Sequence, residues 1–318
     1  MLLLTSIEIE NFRGIRQGKL EGLTDVNILI GRNNCGKTTV IEAIHRSIAG
    51  QDKVDRLRQN IVNYWTDVRR DGSPHDAAYQ KCIPAKVTVR CTLTGYSKGS
   101  ASEINRMLLY SMFSDNGDSL AKEQENSILI FRSQVMLFRP PDALTHNIEQ
   151  LLWTNILADR SDKELVKSLN EIFSVRAESF SMIDSKLYIL FEKQGIPLDS
   201  QGDGTRAAVR TLMMLALVKD SIFLLEEPEC HQHPGSLERF AIAVCKLAKA
   251  NQVQLILSTH SNECVRAFMK ASNQVESNAA VFHLALTDGL QTARRLDTEA
   301  VETLTDTGID IRFLDMYS

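Results

Sequence analysis

The sequence predicts an α/β fold built around a phosphate-binding loop, and three observations carry that prediction. An apolar run, Val26–Ile30, leads into Gly31-Arg32-Asn33-Asn34-Cys35-Gly36-Lys37-Thr38, which fits the pattern G-x-x-x-x-G-K-[ST]. A helix-like stretch at 39–49, closed by Gly50, follows it, so strand, loop and helix stand in the order the motif requires. From residue 187 onward, strand-like runs alternate with helical ones, the pattern of a sheet layered with helices.

Taken in order, residues 3–10 end in the alternation of a half-buried strand, and Asn11-Phe12-Arg13-Gly14 supplies a turn. In the helix after the loop, Val40, Ile41, Ile44 and Ile48 recur at helical spacing for burial against a sheet. Residues 51–80 are polar and are broken by Gly72 and Pro74. Strands are expected at 86–93 and 127–138, with a helix at 103–113 between them. Helices follow at 143–157 and 162–173, the second opened by Ser161 and Glu164 as a capping box. Further on, strands are expected at 187–191, 221–225, 253–257, 281–286 and 292–296, and helices at 205–219, 237–250 and 298–305. The organisation this implies is a core of 1–50 and 187–318, with a mixed α+β insertion or lid over 51–186.

With 318 residues and 43% hydrophobic content, the chain can bury a large core. A net charge of −4 supplies no global positive field to attract nucleic acid or an anionic membrane. Local pairs, Arg56/Arg58, Arg69/Arg70 and Arg294/Arg295, leave DNA open as a partner. The six cysteines are scattered without any C-x-x-C pair and read as reduced thiols of a cytoplasmic protein. No stretch approaches 18 apolar residues, so no membrane segment is expected.

The chemistry is concentrated in four places. Gly31 and Gly36 let the backbone wrap a polyphosphate, and successive N–H groups from Asn33 and Asn34 through Thr39 at the helix N-terminus point at it. Lys37 adds charge, and the Thr38 hydroxyl is suited to Mg²⁺. Ile222-Phe223-Leu224-Leu225 runs into Glu226-Glu227-Pro228-Glu229, where Glu226 can support the metal and Glu227 can polarise an attacking water. Ser200-Gln201-Gly202-Asp203-Gly204 precedes a helix and forms either a second anion nest or a loop that needs two glycines to turn. His260 stands just beyond a buried strand, where it is either a packing residue or a contact for the γ-phosphate or its water. His231 and His233 could pair on a metal, a weaker reading, and Arg13 and Arg16 are candidates to stack on or pair with a base.

In order and kind, these four motifs resemble the ABC-type ATPase domain: phosphate loop, signature loop, acidic strand end, switch histidine. More narrowly the chain looks like the ATPase portion of the OLD (overcoming lysogenization defect) family, with RecF-like and SMC-like proteins as more distant kin. Ile7-Glu8-Ile9-Glu10-Asn11-Phe12-Arg13-Gly14, Gly31-Arg32-Asn33-Asn34, Glu226-Glu227-Pro228-Glu229 with His231-Gln232-His233-Pro234, and Ser258-Thr259-His260-Ser261 carry that likeness. It covers 1–50 and 187–318. Glu226 departs from the usual aspartate and Asp203 from the usual glutamine, and Gln134 is the candidate for the glutamine between lobes. The acidic metal cluster of OLD nucleases has no counterpart after His260, so no nuclease is expected. The resemblance implies ATP and Mg²⁺ as cofactors, hydrolysis through Glu227, and a head-to-tail homodimer in which Ser200 and Gly202 reach the partner's γ-phosphate. It also implies a switch acting on a separate effector, a nuclease or toxin of phage defence. A RecF-like DNA repair ATPase and a non-hydrolysing scaffold are the alternatives.

Overall fold

The computed structural model describes residues 2–49, 87–96, 103–112, 136–138 and 146–316. The first strands are β1 (Leu2–Phe12), β2 (Ile15–Glu21), β3 (Val26–Ile30), β4 (Val87–Tyr96), β5 (Glu103–Met112) and β6 (Met136–Phe138). They are followed by β7 (Ala177–Ile183), β8 (Lys186–Phe191), β9 (Gln194–Pro197), β10 (Ile222–Glu226), β11 (Gln254–Ser258), β12 (Ala279–Thr287) and β13 (Leu290–Leu296). Helices are α1 (Lys37–Ala49), α2 (His146–Ala158), α3 (Asp162–Phe173) and α4 (Asp203–Ala216), then α5 (Pro234–Ala250), α6 (Asn262–Gln274) and α7 (Thr298–Asp306).

Ten strands form one mixed sheet in the order β5-β4-β1-β2-β13-β12-β3-β11-β10-β6, and β7-β8-β9 form a separate meander. The run β12-β3-β11-β10-β6 is parallel, whereas β5-β4-β1-β2 is antiparallel. Successive strand residues point to opposite faces, and this alternation divides the core in two. Leu29, Ile222, Leu224 and Ile256 join Val40, Ile41 and Ile44 of α1 on one face. Ile28, Ile30, Phe223, Leu225, Leu255 and Leu257 pack on the other against helices α2 to α7. Central strands covered on both faces are buried at every position in β3, β10 and β11, which is why their residues are predominantly apolar. Gln254 ties two strands together at the base of the sheet: its side chain exchanges hydrogen bonds with the Leu4 backbone at 2.8 and 2.9 Å.

Two local expectations are overturned. Residues 103–112 form strand β5, not a helix, and pair antiparallel with β4 along its whole length. Helix propensity is a weak prior, and a continuous partner ladder overrides it. The capping box at α3 does not form either: Ser161 has helical backbone angles (φ −88, ψ −1) and makes no side-chain cap. The reason lies upstream. Helix α2 ends in a left-handed Arg160 (φ 55), with Arg160 N–H donating to the Leu157 carbonyl and Ser161 N–H to that of Ile156. That Schellman closure commits the Ser161 backbone before its hydroxyl can act as a cap.

From the interval 51–186, the described strands β4, β5 and β6 join the main sheet, and α2 and α3 enter the larger core cluster. Of the strand expected at 127–138, only 136–138 is described; Gln134 and the arginine pairs at 56/58 and 69/70 lie outside the described residues.

Candidate nucleotide site

Strand order brings three of the four motifs to one edge. Leu29 of β3 pairs with Ser258 of β11, and Ser258 pairs with Glu226 of β10. The loop after β3, His260 after β11 and the acidic turn after β10 therefore emerge side by side, about 4.8 Å apart from strand to strand. The carboxyl end of parallel strands is where α/β sheets place ligands.

The phosphate loop is shaped by backbone that glycine serves. Gly31 (φ 147), Asn34 (φ 63) and Gly36 (φ 91) all have positive φ. A Cβ on Gly31 would stand 2.3 Å from the Leu284 carbonyl oxygen, and one on Gly36 would stand 2.4 Å from Gln291 Nε2. The buried Gln291 amide on β13 donates to the Cys35 carbonyl at 2.9 Å, so a hairpin from the far end of the chain props the loop from behind. Asn33, Asn34 and Thr38 are exposed, and Thr39 is half-buried at the start of α1.

Lys37 is only 6% exposed, and its ammonium donates to the Gly31 and Arg32 carbonyls at 2.8 and 2.9 Å. Burial draws its pKa below the ordinary lysine value, while the negative charges of Glu227 and Glu229 oppose that shift. Burial also pushes the Cys35 thiol up, which keeps it protonated beside the lysine.

Across the edge, Glu226 is 3% exposed and ends its strand. Glu227 adopts φ 46, a left-handed backbone unusual for glutamate, and its N–H donates to the Ser258 carbonyl at 2.8 Å. Non-glycine strain of this kind persists where the surroundings over-determine it and clusters at functional sites. Glu229 clamps the neighbouring turn, accepting from Thr259 Oγ1 at 2.6 Å and from His260 N–H at 3.1 Å. The imidazole of His260 is held below its ordinary pKa by partial burial first and by the Lys37 charge second, so it is neutral at pH 7.

Arg13 lies in the β1–β2 turn (φ 50), with Nε 2.7 Å from Glu42 Oε2 of α1 and its guanidinium 6.0 Å from the Phe12 ring centroid. The turn thus brings Arg13 to the helix that begins at Lys37. His231 and His233 are exposed, and His233 Nδ1 caps α5 by accepting from Gly235 N–H.

Ser200 and Gly202 lie at the start of α4. Both are exposed; Ser200 ends a 3-10 turn (Leu198–Ser200), and Gly202 precedes α4 with φ −59. A Cβ on Gly202 would meet nothing within 4 Å, whereas one on Gly204 would lie 2.6 Å from the His231 carbonyl oxygen. Gln232 Nε2 donates to the Gly204 carbonyl at 2.7 Å, so the loop after the acidic turn supports this stretch from behind. Among the described residues, no hydrogen bond joins Ser200 or Gly202 to the phosphate loop.

The residues fit a magnesium-bound triphosphate. The backbone cradle at Gly31 and Gly36 is closed to side chains, Thr38 is exposed at an open helix N-terminus, and a buried carboxylate ends a strand of the same edge. Sequence reasoning missed Gln291, Glu229 as the clamp of the switch turn, and the arginine at 312 described below. Only Glu229 carried a signal, its place in the acidic turn.

The profile of the AAA ATPase domain family AAA_15 matches residues 3–74 and 101–265. The DNA replication and repair protein RecF of Acinetobacter baumannii is 34% identical over 64 residues, 20% of this chain and 18% of RecF. The DNA double-strand break repair Rad50 ATPase of Archaeoglobus fulgidus is 40% identical over 60 residues, 19% of this chain and 7% of Rad50. The matches thus span less than a fifth of either repair protein. In fold, the chain is similar to an SMC head solved with the C-winged helix domain of ScpA, with a TM-score of 0.60 at 11% identity, covering 94% of this chain and 99% of that one.

Proposed function

The chain belongs to the AAA ATPase domain family, and from that premise we propose that it is an ATP-hydrolysing switch whose two sites are each completed by a second copy of the chain. One observation carries this reading. Lys37, Glu226, Glu227 and His260 belong to one sheet edge, while Ser200 and Gly202 are exposed and, among the described residues, share no hydrogen bond with the phosphate loop. A head-to-tail pair would satisfy both surfaces at once.

In this scheme Lys37 and the loop amides bind and orient the triphosphate. Thr38 and Glu226 would hold Mg²⁺, which supplies charge neutralisation on the phosphate oxygens. Glu227 takes up proton density from the attacking water, and His260 hydrogen-bonds at the γ-phosphate end. Arg13 is assigned to the base side. Ser200 and the amides after Gly202 close over the partner's γ-phosphate, so that ATP joins the dimer and hydrolysis releases it. The motifs of this machinery lie in 1–50 and 187–318, and the described strands of 51–186 extend the sheet that carries them.

The output we assign first is control of a separate effector. A second reading, DNA-coupled repair, is favoured by the RecF and Rad50 relatives. Duplex DNA alone should stimulate phosphate release, with binding that weakens steeply in salt, only if the second reading is right. For the switch itself, Glu227→Gln should bind ATP and accumulate as a dimer by light scattering while phosphate release drops by about 10²-fold or more. A variant that stays monomeric in saturating ATP would falsify shared sites.

A further inference from the structure

The C-terminal segment beyond the family match touches both ends of the site. Its 3-10 portion (Ile311–Met316) is anchored by buried Ile311 and Leu314 in the larger core cluster. Ahead of it, Asp310 holds the Arg312 guanidinium in a fork, with Nη2 2.6 Å from Oδ2 and Nε 3.0 and 3.1 Å from the two oxygens. The same carboxylate accepts from the Arg312 N–H at 2.9 Å and from Asn262 Nδ2, in the first turn of α6, at 3.1 Å. So fixed, Arg312 Nη1 donates to the backbone carbonyl of His260 at 3.4 Å. At the other end, Asp315 lies 3.7 Å from Nη1 of Arg32, the residue after Gly31, and 3.6 Å from Nε2 of His283. His283 is buried on β12, paired in register with Ile30 immediately before the phosphate loop, and its Nε2 is 3.4 Å from the Arg312 carbonyl.

We propose that residues 310–316 form a strap that positions the switch turn against the phosphate loop, with Arg312 as the positioning residue for His260 and Asp315 as the strap's dock on the loop. The His260 N–H is clamped by Glu229 and its carbonyl by Arg312, so the imidazole hangs from a peptide held on both sides. A guanidinium braced by a carboxylate fork loses little further freedom in making that contact. Arg32, 55% exposed at the loop mouth, is placed to move when phosphate enters, and Asp315 would transmit that movement to Arg312, three residues earlier in the same 3-10 segment. Arg312 touches no reacting atom and acts through His260 alone.

This inference rests on the ATPase reading for its kinetic readout but not for its structural one. Hydrogen exchange of the nucleotide-free full chain is the deciding measurement. Arg312→Met should raise exchange of the 259–264 amides by about tenfold or more, and Asp315→Asn should do the same for the 31–37 amides. Asp310→Asn, which keeps Arg312 but breaks its brace, should reproduce the first pattern. In turnover, Arg312→Met should lower kcat by about tenfold and leave ATP affinity within about twofold, with partial recovery in Arg312→Lys. Wild-type exchange at 259–264 in both Arg312→Met and Asp310→Asn would overturn the strap whatever the kinetics. A wild-type chain without ATP turnover would instead overturn the proposed function, and the exchange result would still judge the strap.

Discussion

At the scale of single residues, the phosphate loop shows how much of a site can rest on the absence of a side chain. Gly36 combines φ 91 with a Cβ direction that leads into Gln291 Nε2 at 2.4 Å and Ile15 Cδ1 at 3.3 Å. The glutamine is buried and is already committed to the Cys35 carbonyl, so it cannot retreat without giving up that bond. Gly36→Ala should therefore destabilise the fold by about 1–3 kcal/mol, read as a lower urea midpoint, and weaken ATP binding in parallel. The motif pattern announces glycine at this position. It cannot announce Gln291, because the two are brought together only when β13 pairs into the sheet beside β2 and β12.

Among elements, the deciding contacts are buried ion pairs and strand partners. Arg210 of α4 is 5% exposed; its Nε donates to Glu149 of α2 at 2.6 Å and its Nη2 to Asp199 at 2.8 Å, one residue before Ser200. This fork locks the 3-10 turn that presents Ser200 onto two helices at once. Arg210→Met keeps the apolar stem but strips the guanidinium from a carboxylate that is 1% exposed. A loss of about 3 kcal/mol in chemical denaturation is expected, since Glu149 and Asp199 both lose the buried guanidinium they share. Nothing in local sequence pairs Glu149 with Arg210. The same limit explains β5, where Met, Leu and Arg suggest a helix but β4 offers a full ladder of backbone partners. It explains Ser161 too, whose capping chemistry is overruled by the closure of the preceding helix.

For the whole molecule, the question is how two surfaces of one chain meet. If sites are shared, Ser200→Arg and Lys37→Ala each disable both sites of their own homodimer by different means. A mixed dimer of the two variants keeps one intact site, made of Lys37 from the first chain and Ser200 from the second. Mixing equal amounts should restore about a quarter of wild-type phosphate release, because half the dimers are mixed and each has one working site. Activity of the mixture no higher than that of the separate variants would place Ser200 outside the partner's pocket. The AAA ATPase domain family match gives the ATPase domain, and the likeness to an SMC head gives the fold.

What the sequence determined by itself was the α/β class, the strand–loop–helix at 26–49 and the acidic turn at 226–229, because each is written in a short contiguous run whose glycine, charge and apolar pattern is local physics. Tertiary structure alone decided that β11 lies between β3 and β10, that Gln291 props the loop, and that Arg312 reaches the His260 carbonyl. Those contacts join residues dozens to hundreds of positions apart. Their partners are selected by sheet order and burial, and neither is encoded in the neighbours of any one residue.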